Sequence, residues 1–155
     1  MTVAFIGFDK YARTVALRIG LQVVINNLIV NEGAKTFLFN NGGYFDSDCY
    51  SIVSQLKKRY PHIERHYYHG GFDYDVGYVD WMKEHYDKVY FPPMGIPYPR
   101  YLRDRKIIDA CEVLVTCYDN DQLQAEKMSA TALAVEYALI RKKKVINLYT
   151  GLSQI

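Results

Sequence analysis

The chain has 155 residues, of which 50% are hydrophobic and 23% are charged, and its formal net charge is +2. This composition is typical of one soluble globular domain, and the length is too short for two independent α/β domains. No apolar run approaches the ~20 residues of a membrane span, and the amino terminus lacks the features of a signal peptide. We therefore expect a single domain over residues 1–155, in the cytoplasm, with no membrane partner.

Six short apolar, β-branched or aromatic runs predict β-strands. The predicted strands are residues 3–6, 36–39, 63–68, 88–91, 113–118 and 144–149. Longer segments of helical period alternate with them, a pattern typical of βαβ units and of a mainly parallel sheet. The sequence therefore predicts an α/β protein of the Rossmann-like kind, with a sheet of about six strands.

Apolar residues at helical spacing lie between these strands. Leu17, Leu21, Val24 and Leu28 predict one long helix with a broad apolar face, which ends near Gly33. Other helices are predicted from Cys49, Ile52, Val53 and Leu56, from Met128, Ala132, Val135 and Leu139, and at residues 78–85 and 101–110.

Small or polar residues follow four of the predicted strands, in segments 7–9, 40–43, 70–71 and 119–121. In an open parallel sheet these loops share one edge, where ligands bind at the topological switch point. Glycine and asparagine permit close backbone approach, so that amide N–H groups can converge on an anion. We predict a ligand site at this edge. The alternative is that these residues serve only as turns.

Several other kinds of site are disfavoured by the sequence. No GxGxxG motif follows the first strand and no P-loop motif occurs, which argues against ordinary NAD-dependent redox and P-loop ATPase chemistry. His62 and His66 share one face of a predicted strand and His69 points to the other, so we expect no metal and no cofactor. The basic run 141–144 is read as a helix end, and we expect no nucleic-acid partner.

Cysteine and tyrosine usage adds two expectations. None of the three cysteines sits in a CxxC pair, so we predict buried reduced thiols at Cys49, Cys111 and Cys117. The chain has fifteen tyrosines, many of them in residues 70–101. Their amphipathic rings suit a wall that stacks on a ligand or a subunit interface, and equally a core capped by rings with their hydroxyls in water.

Several blocks of the chain occur in the order found in a known family. They are TVAFIG, EGAKTFLF with the polar loop and Phe45-Asp46 that follow, LKKRYPHIER, the helix at 103–109, and SATALAVEYALIRKKKVINL. The chain resembles the small bacterial SLOG proteins, three-layer Rossmann-like domains related to the Lonely Guy phosphoribohydrolases and to DprA-like and ADP-ribose-sensing modules. The similarity spans nearly the whole chain and is weakest at about 70–98. It implies a nucleotide-type small-molecule ligand and a homo-oligomer.

The resemblance also implies which residues line the ligand pocket. The family has GHRK after the first strand, GSxxEFD after the second, Arg-Asn before the fifth and SGT at the start of the last helix. The matching positions are edited here, with Ala130 in place of the glycine of SGT. The implied ligand-binding residues are Gly7, Phe8, Asn40, Asn41, Gly42, Phe45, Arg103, Asp104, Asp119, Ser129 and Thr131.

Catalysis is not expected, because the position of the glutamate in the Lonely Guy motif is Ala134. Glu136 lies roughly 200° further around the helix axis and cannot simply replace that glutamate. We therefore predict non-catalytic binding of a nucleotide or nucleotide-derived molecule, for sensing or sequestration. Two alternatives are a phosphoribohydrolase that uses Glu136 or Asp119, and a scaffold that has lost its pocket and serves protein contacts. Arg103 is read as a phosphate or ribose ligand, or else as an exposed surface arginine.

Overall fold

Strands and helices alternate along the chain in the computed structural model, which describes residues 1–7, 13–40, 42–70, 75–92, 100–118 and 129–149. The strands are β1 (Thr2–Phe5), β2 (Thr36–Phe39), β3 (Glu64–Tyr68), β4 (Lys88–Tyr90), β5 (Val113–Thr116) and β6 (Lys144–Asn147). The helices are α1 (Val15–Glu32), α2 (Tyr44–Arg59), α3 (Val76–His85), α4 (Arg100–Ala110) and α5 (Ala130–Ile140). All six predicted strands are confirmed, with ends that differ by two residues at most.

The six strands form one sheet in the order β4-β3-β2-β1-β5-β6, and every neighbouring pair is parallel. Strand β1 lies inside the sheet, where Ala4 is opposite Leu38 of β2 on one side and Leu114 of β5 on the other. The chain builds outward from β1 in one direction and then restarts from β5 in the other. The topological switch point therefore lies between β1 and β5.

Helices cover both faces of the sheet because successive strand residues point to opposite sides. Phe5 and Phe37 pack on one face, in a core that α1, α2 and α3 complete. Ala4 and Leu38 pack on the other face, in a smaller core with Ile107 of α4 and helix α5. This confirms the predicted α/β class and a three-layer Rossmann-like architecture.

The ends of α1 follow from its sequence. The Thr14 hydroxyl accepts a hydrogen bond of 3.1 Å from the Leu17 N–H at the start, and Gly33 ends the helix in a left-handed conformation at φ 73°. The predicted stop at Gly33 is confirmed. The last predicted helix is confirmed as α5, with Ala132 and Val135 buried. Leu139 is 58% exposed, because the buried face of α5 passes through Ala138.

Two expectations about the whole chain are tested by this structure. The three cysteines are free and buried, as predicted. None of the helices in the described ranges combines the length and the apolar character that crossing a bilayer requires.

Candidate functional site

Gly7, which lies just after β1, contacts the start of α2 and the start of α5. A Cβ atom built on Gly7 would lie 2.4 Å from Cδ1 of Phe45, so this position has room only for glycine. The buried Thr131 hydroxyl donates a hydrogen bond of 3.0 Å to the Gly7 carbonyl. Two of the predicted pocket residues, Phe45 and Thr131, therefore hold the Gly7 loop in place.

Asn40 joins the ends of β1 and β2 to the start of α2. Its side-chain amide donates to the Phe5 carbonyl at 3.3 Å, and its backbone N–H donates to Oδ1 of the buried Asp46 at 2.9 Å. Its side-chain oxygen accepts from the Gly42 N–H at 2.7 Å. Because buried polar groups need partners, this asparagine stabilises the loop after β2.

Arg103 is buried beside Asn40 and Gly70, which lie just after β2 and β3, and only 8% of its surface is exposed. Its guanidinium donates to the Asn40 carbonyl at 3.3 Å and to Oδ1 of Asp104 at 3.3 Å. A Cβ atom on Gly70 would lie 2.5 Å from Nη1 of Arg103, so this glycine makes room for the guanidinium. The reading of Arg103 as an exposed surface arginine is wrong. Asp104 also lies 4.0 Å from Nε of Arg100.

The start of α5 is capped by the chain itself. The Ser129 hydroxyl accepts a hydrogen bond of 3.1 Å from the Ala132 N–H, which occupies one of the free amides at this helix end. Ala130 and Ala134, which stand where the SLOG and Lonely Guy motifs have a glycine and a glutamate, line a groove between α4 and α5. Glu136 lines the same groove and is exposed on its outer side.

A pocket of about 170 Å³ opens beside Arg103, at the carboxyl ends of β3 and β4. Its lining residues are Tyr68, His69, Tyr90, Phe91, Pro92, Arg103 and Lys106. The rings of Tyr68 and Tyr90 stack with centroids 4.4 Å apart and planes 23° from parallel. Two cationic side chains and several aromatic rings therefore meet in one small concave site.

His69, one of the lining residues of this pocket, is hydrogen-bonded to the buried phenol of Tyr67. The Tyr67 hydroxyl shares a hydrogen bond of 3.2 Å with Nδ1 of His69 and lies 3.3 Å from the Tyr78 hydroxyl. Burial raises the pKa of Tyr67 well above its ordinary value, and the hydrogen bond with Tyr78 raises the pKa further. The phenol therefore stays neutral at physiological pH and positions the imidazole of His69.

The structure brings most of the predicted site residues to one edge of the sheet. Those that meet there are Gly7, Asn40, Gly42, Phe45, Arg103, Asp104, Ser129 and Thr131. Phe8, Asn41 and Asp119 lie outside the described residues. Sequence reasoning placed Gly70 in a loop at this edge but not beside Arg103, and it did not single out Tyr68, Tyr90 and Phe91 as the aromatic wall of the pocket. The signal for that wall was the aromatic residues at the ends of two neighbouring strands, in HYYH and VYFPP.

The histidines do not form a metal site in the described part of the chain. His62 precedes β3, His66 lies within β3 and His69 follows it. His66 is hydrogen-bonded to Glu64 at 2.8 Å, whereas His69 contacts Tyr67, and the two lie on opposite faces of the sheet. No group of three potential metal ligands occurs among the described residues.

Comparison with known proteins gives no relative: no protein-family model matches the chain, and no curated protein matches it. The resemblance to SLOG proteins therefore stays a prediction. The Rossmann-like fold is shown by the structure without it.

Proposed function

We propose that this protein binds a nucleotide or nucleotide-derived small molecule at the carboxyl edge of its sheet, without turning it over, as a SLOG-type sensor or sequestering protein. The observation that carries the proposal is the pocket between Arg103 and the stacked rings of Tyr68 and Tyr90. It lies at the edge where open parallel sheets bind their ligands.

The chemistry of the lining suits a planar group joined to an anion. Aromatic faces stack on nucleobases, each worth about 1–3 kcal/mol in known complexes, while lysine and arginine bind phosphate. Arg103 is paired with Asp104, and the exposed Lys106 brings a second cationic side chain to the pocket. The volume of about 170 Å³ is below the ~300–1,000 Å³ of pockets that enclose whole ligands, so one part of the nucleotide would enter.

The arrangement of carboxylates favours binding over hydrolysis. Glu136 is the glutamate nearest in sequence to Ala134, the position of the glutamate in the Lonely Guy motif. It is exposed and faces the α4–α5 groove. Thr131, on the same helix, instead faces the Gly7 loop at the edge of the sheet. A general acid or base must reach its substrate within hydrogen-bond distance, and Glu136 faces a different surface from Thr131.

The test is thermal stability of the purified protein with nucleoside phosphates, ADP-ribose, NAD and cyclic nucleotides. A ligand at about a hundred times its dissociation constant adds roughly 2.7 kcal/mol to the free energy of unfolding. Lys106→Ala and Tyr90→Leu should each reduce that gain. Lys58→Ala is the matched control, because Lys58 is also exposed but sits in the last turn of α2, at the opposite edge of the sheet. Arg103→Ala is unsuitable, since it removes the buried cation that pairs with Asp104 and so perturbs the fold itself.

A second candidate, a scaffold that has lost its pocket, is favoured by the filled spaces beside the glycines. Phe45, Asn40 and Arg103 occupy the room that Gly7, Gly42 and Gly70 leave, where a ligand would otherwise approach. A screen in which no nucleotide changes the stability would support this candidate and refute binding. Release of free base during incubation with a nucleotide would instead show a hydrolase.

A further inference from the structure

The groove between α4 and α5 has a volume of about 330 Å³ and shares no lining residue with the pocket beside Arg103. Its volume falls within the ~300–1,000 Å³ of pockets that bind small molecules. Leu133 and Ile140 line it and are 42% and 68% exposed, so a ligand can reach them. The apolar and aromatic lining residues are Tyr101, Ile108, Ala130, Leu133, Ala134, Tyr137 and Ile140.

Arg105 is held at this groove by two tyrosine rings. Its guanidinium carbon lies 5.5 Å from the centroid of the Tyr101 ring and 5.1 Å from that of Tyr137. The Tyr137 hydroxyl donates to the two carboxylate oxygens of Asp109 at 2.9 and 3.0 Å, which anchors its ring to α4. A guanidinium over an aromatic face is stabilised there and keeps the N–H donors in its own plane available. Arg105 is therefore positioned before a ligand arrives, which reduces the entropy lost on binding.

Two opposite charges stand at the outer edge of the groove. Arg105 on α4 and Glu136 on α5 are exposed, whereas Ile108 and Ala134 are buried at its base. Neither Arg105 nor Glu136 forms an ion pair with any residue that the structure describes. The groove therefore combines an apolar base with one positive and one negative group at its opening.

We propose that the α4–α5 groove binds a free amino acid with an apolar side chain, such as leucine or phenylalanine. The Arg105 guanidinium binds the α-carboxylate through paired N–H donors, and the Glu136 carboxylate binds the α-ammonium group. The apolar side chain of the ligand enters the groove and packs on Ile108 and Ala134, out of water.

The two charges at the opening select this class of ligand over others. A nucleotide or a simple fatty acid carries only negative charge and would meet Glu136, which repels it. An amine without a carboxylate would meet Arg105 in the same way. An amino acid with a charged side chain would have to bury that charge at the apolar base of the groove, at a high cost. A zwitterion with an apolar side chain satisfies all three conditions.

The first test is isothermal titration calorimetry of the full-length protein with L-leucine, L-phenylalanine, L-lysine and L-glutamate. We expect one saturable site for leucine and phenylalanine, and binding weaker by about tenfold or more for lysine and glutamate. Arg105→Gln and Glu136→Gln should each raise the dissociation constant of leucine about tenfold or more, because each removes a charge-assisted hydrogen bond. Lys83→Gln and Glu84→Gln are the matched controls, since both side chains are exposed on α3 and should leave that constant unchanged.

The second test assigns each charge to one end of the ligand. Leucinamide lacks the carboxylate and N-acetyl-leucine lacks the ammonium group, so both should bind more weakly than leucine. Arg105→Gln should not weaken leucinamide binding further, and Glu136→Gln should not weaken N-acetyl-leucine binding further. A merely structural role for either residue would instead weaken both analogues, and circular dichroism checks that the variants are folded.

Two results would overturn the proposal. One is the absence of saturable binding of leucine and phenylalanine at concentrations up to about 10 mM, where even a site of millimolar affinity is filled. The other is a dissociation constant for leucine that neither Arg105→Gln nor Glu136→Gln changes.

Discussion

Replacing Gly7 with alanine tests the close contact between the loop after β1 and helix α2. The new methyl group would lie 2.4 and 2.5 Å from two carbon atoms of the Phe45 ring, more than 1 Å inside the ~3.5 Å at which carbon atoms make favourable contact. Phe45 is 1% exposed, so its ring is enclosed by the core and cannot turn out into solvent without disturbing its neighbours. Overpacking of this kind costs about 1–3 kcal/mol.

The expected loss for Gly7→Ala corresponds to a fall in melting temperature of about 2–12 °C, at 2–4 °C per kcal/mol for a chain of this length. Urea unfolding should show a lower midpoint at an unchanged slope, because the surface exposed on unfolding stays the same. Gly20→Ala is the control. The nearest atom to its new methyl group lies 4.0 Å away and the residue is inside α1, so this variant should gain about 0.5–1 kcal/mol.

A rescue experiment separates the steric cause from any effect on the backbone. Phe45→Leu replaces the ring with a smaller side chain and makes room for the methyl group. In that background Gly7→Ala should lower the free energy of unfolding by less than half as much as it does beside phenylalanine. An equal cost in both backgrounds would refute the steric explanation. So would a Gly7→Ala variant as stable as the wild type.

Two further predictions concern titratable groups away from the pocket. Burial alone would raise the pKa of the Asp87 carboxyl, but hydrogen bonds from Arg65 hold the pKa below its usual value. The contribution of the ionised Asp87 to the free energy of unfolding is fully present above about pH 4 and is lost as pH falls through the lower folded pKa. Asp87→Asn should therefore lower the free energy of unfolding at pH 7, and the difference from wild type should disappear in acid. Burial raises the pKa of Cys49 well above its usual value, that of Cys111 to about 12 and that of Cys117 to about 11, so Ellman's reagent should react slowly until the protein unfolds.

The alternation of strands and helices could be read from the sequence because each element has its own apolar period. The strand at residues 36–39 is an example, since four apolar or β-branched residues lie between a glycine-containing turn and an asparagine pair. Its direction and neighbours follow from the rules for βαβ units. The edge at which the loops gather was predictable for the same reason.

The identity of the residues that fill that edge was less predictable. Helix α4 carries several cations, and their charge does not tell which one turns toward the sheet. A signal was present, because Arg103 lies one turn before the buried Ile107 and shares its face. The contact of Arg103 with Asn40, by contrast, joins residues 63 apart and depends on the order of the strands.

Arg103 also explains why a pocket opens beside β3 and β4. On the side of β1 and β2, Phe45 closes the approach to Gly7 and Asn40 closes the approach to Gly42. Arg103 fills the space beside Gly70 with its guanidinium, and the same side chain lines the pocket. The space for a ligand therefore lies beside Arg103, among the aromatic rings at the ends of β3 and β4. A nucleotide bound there would contact Lys106 and the aromatic wall before any of the glycine-rich turns.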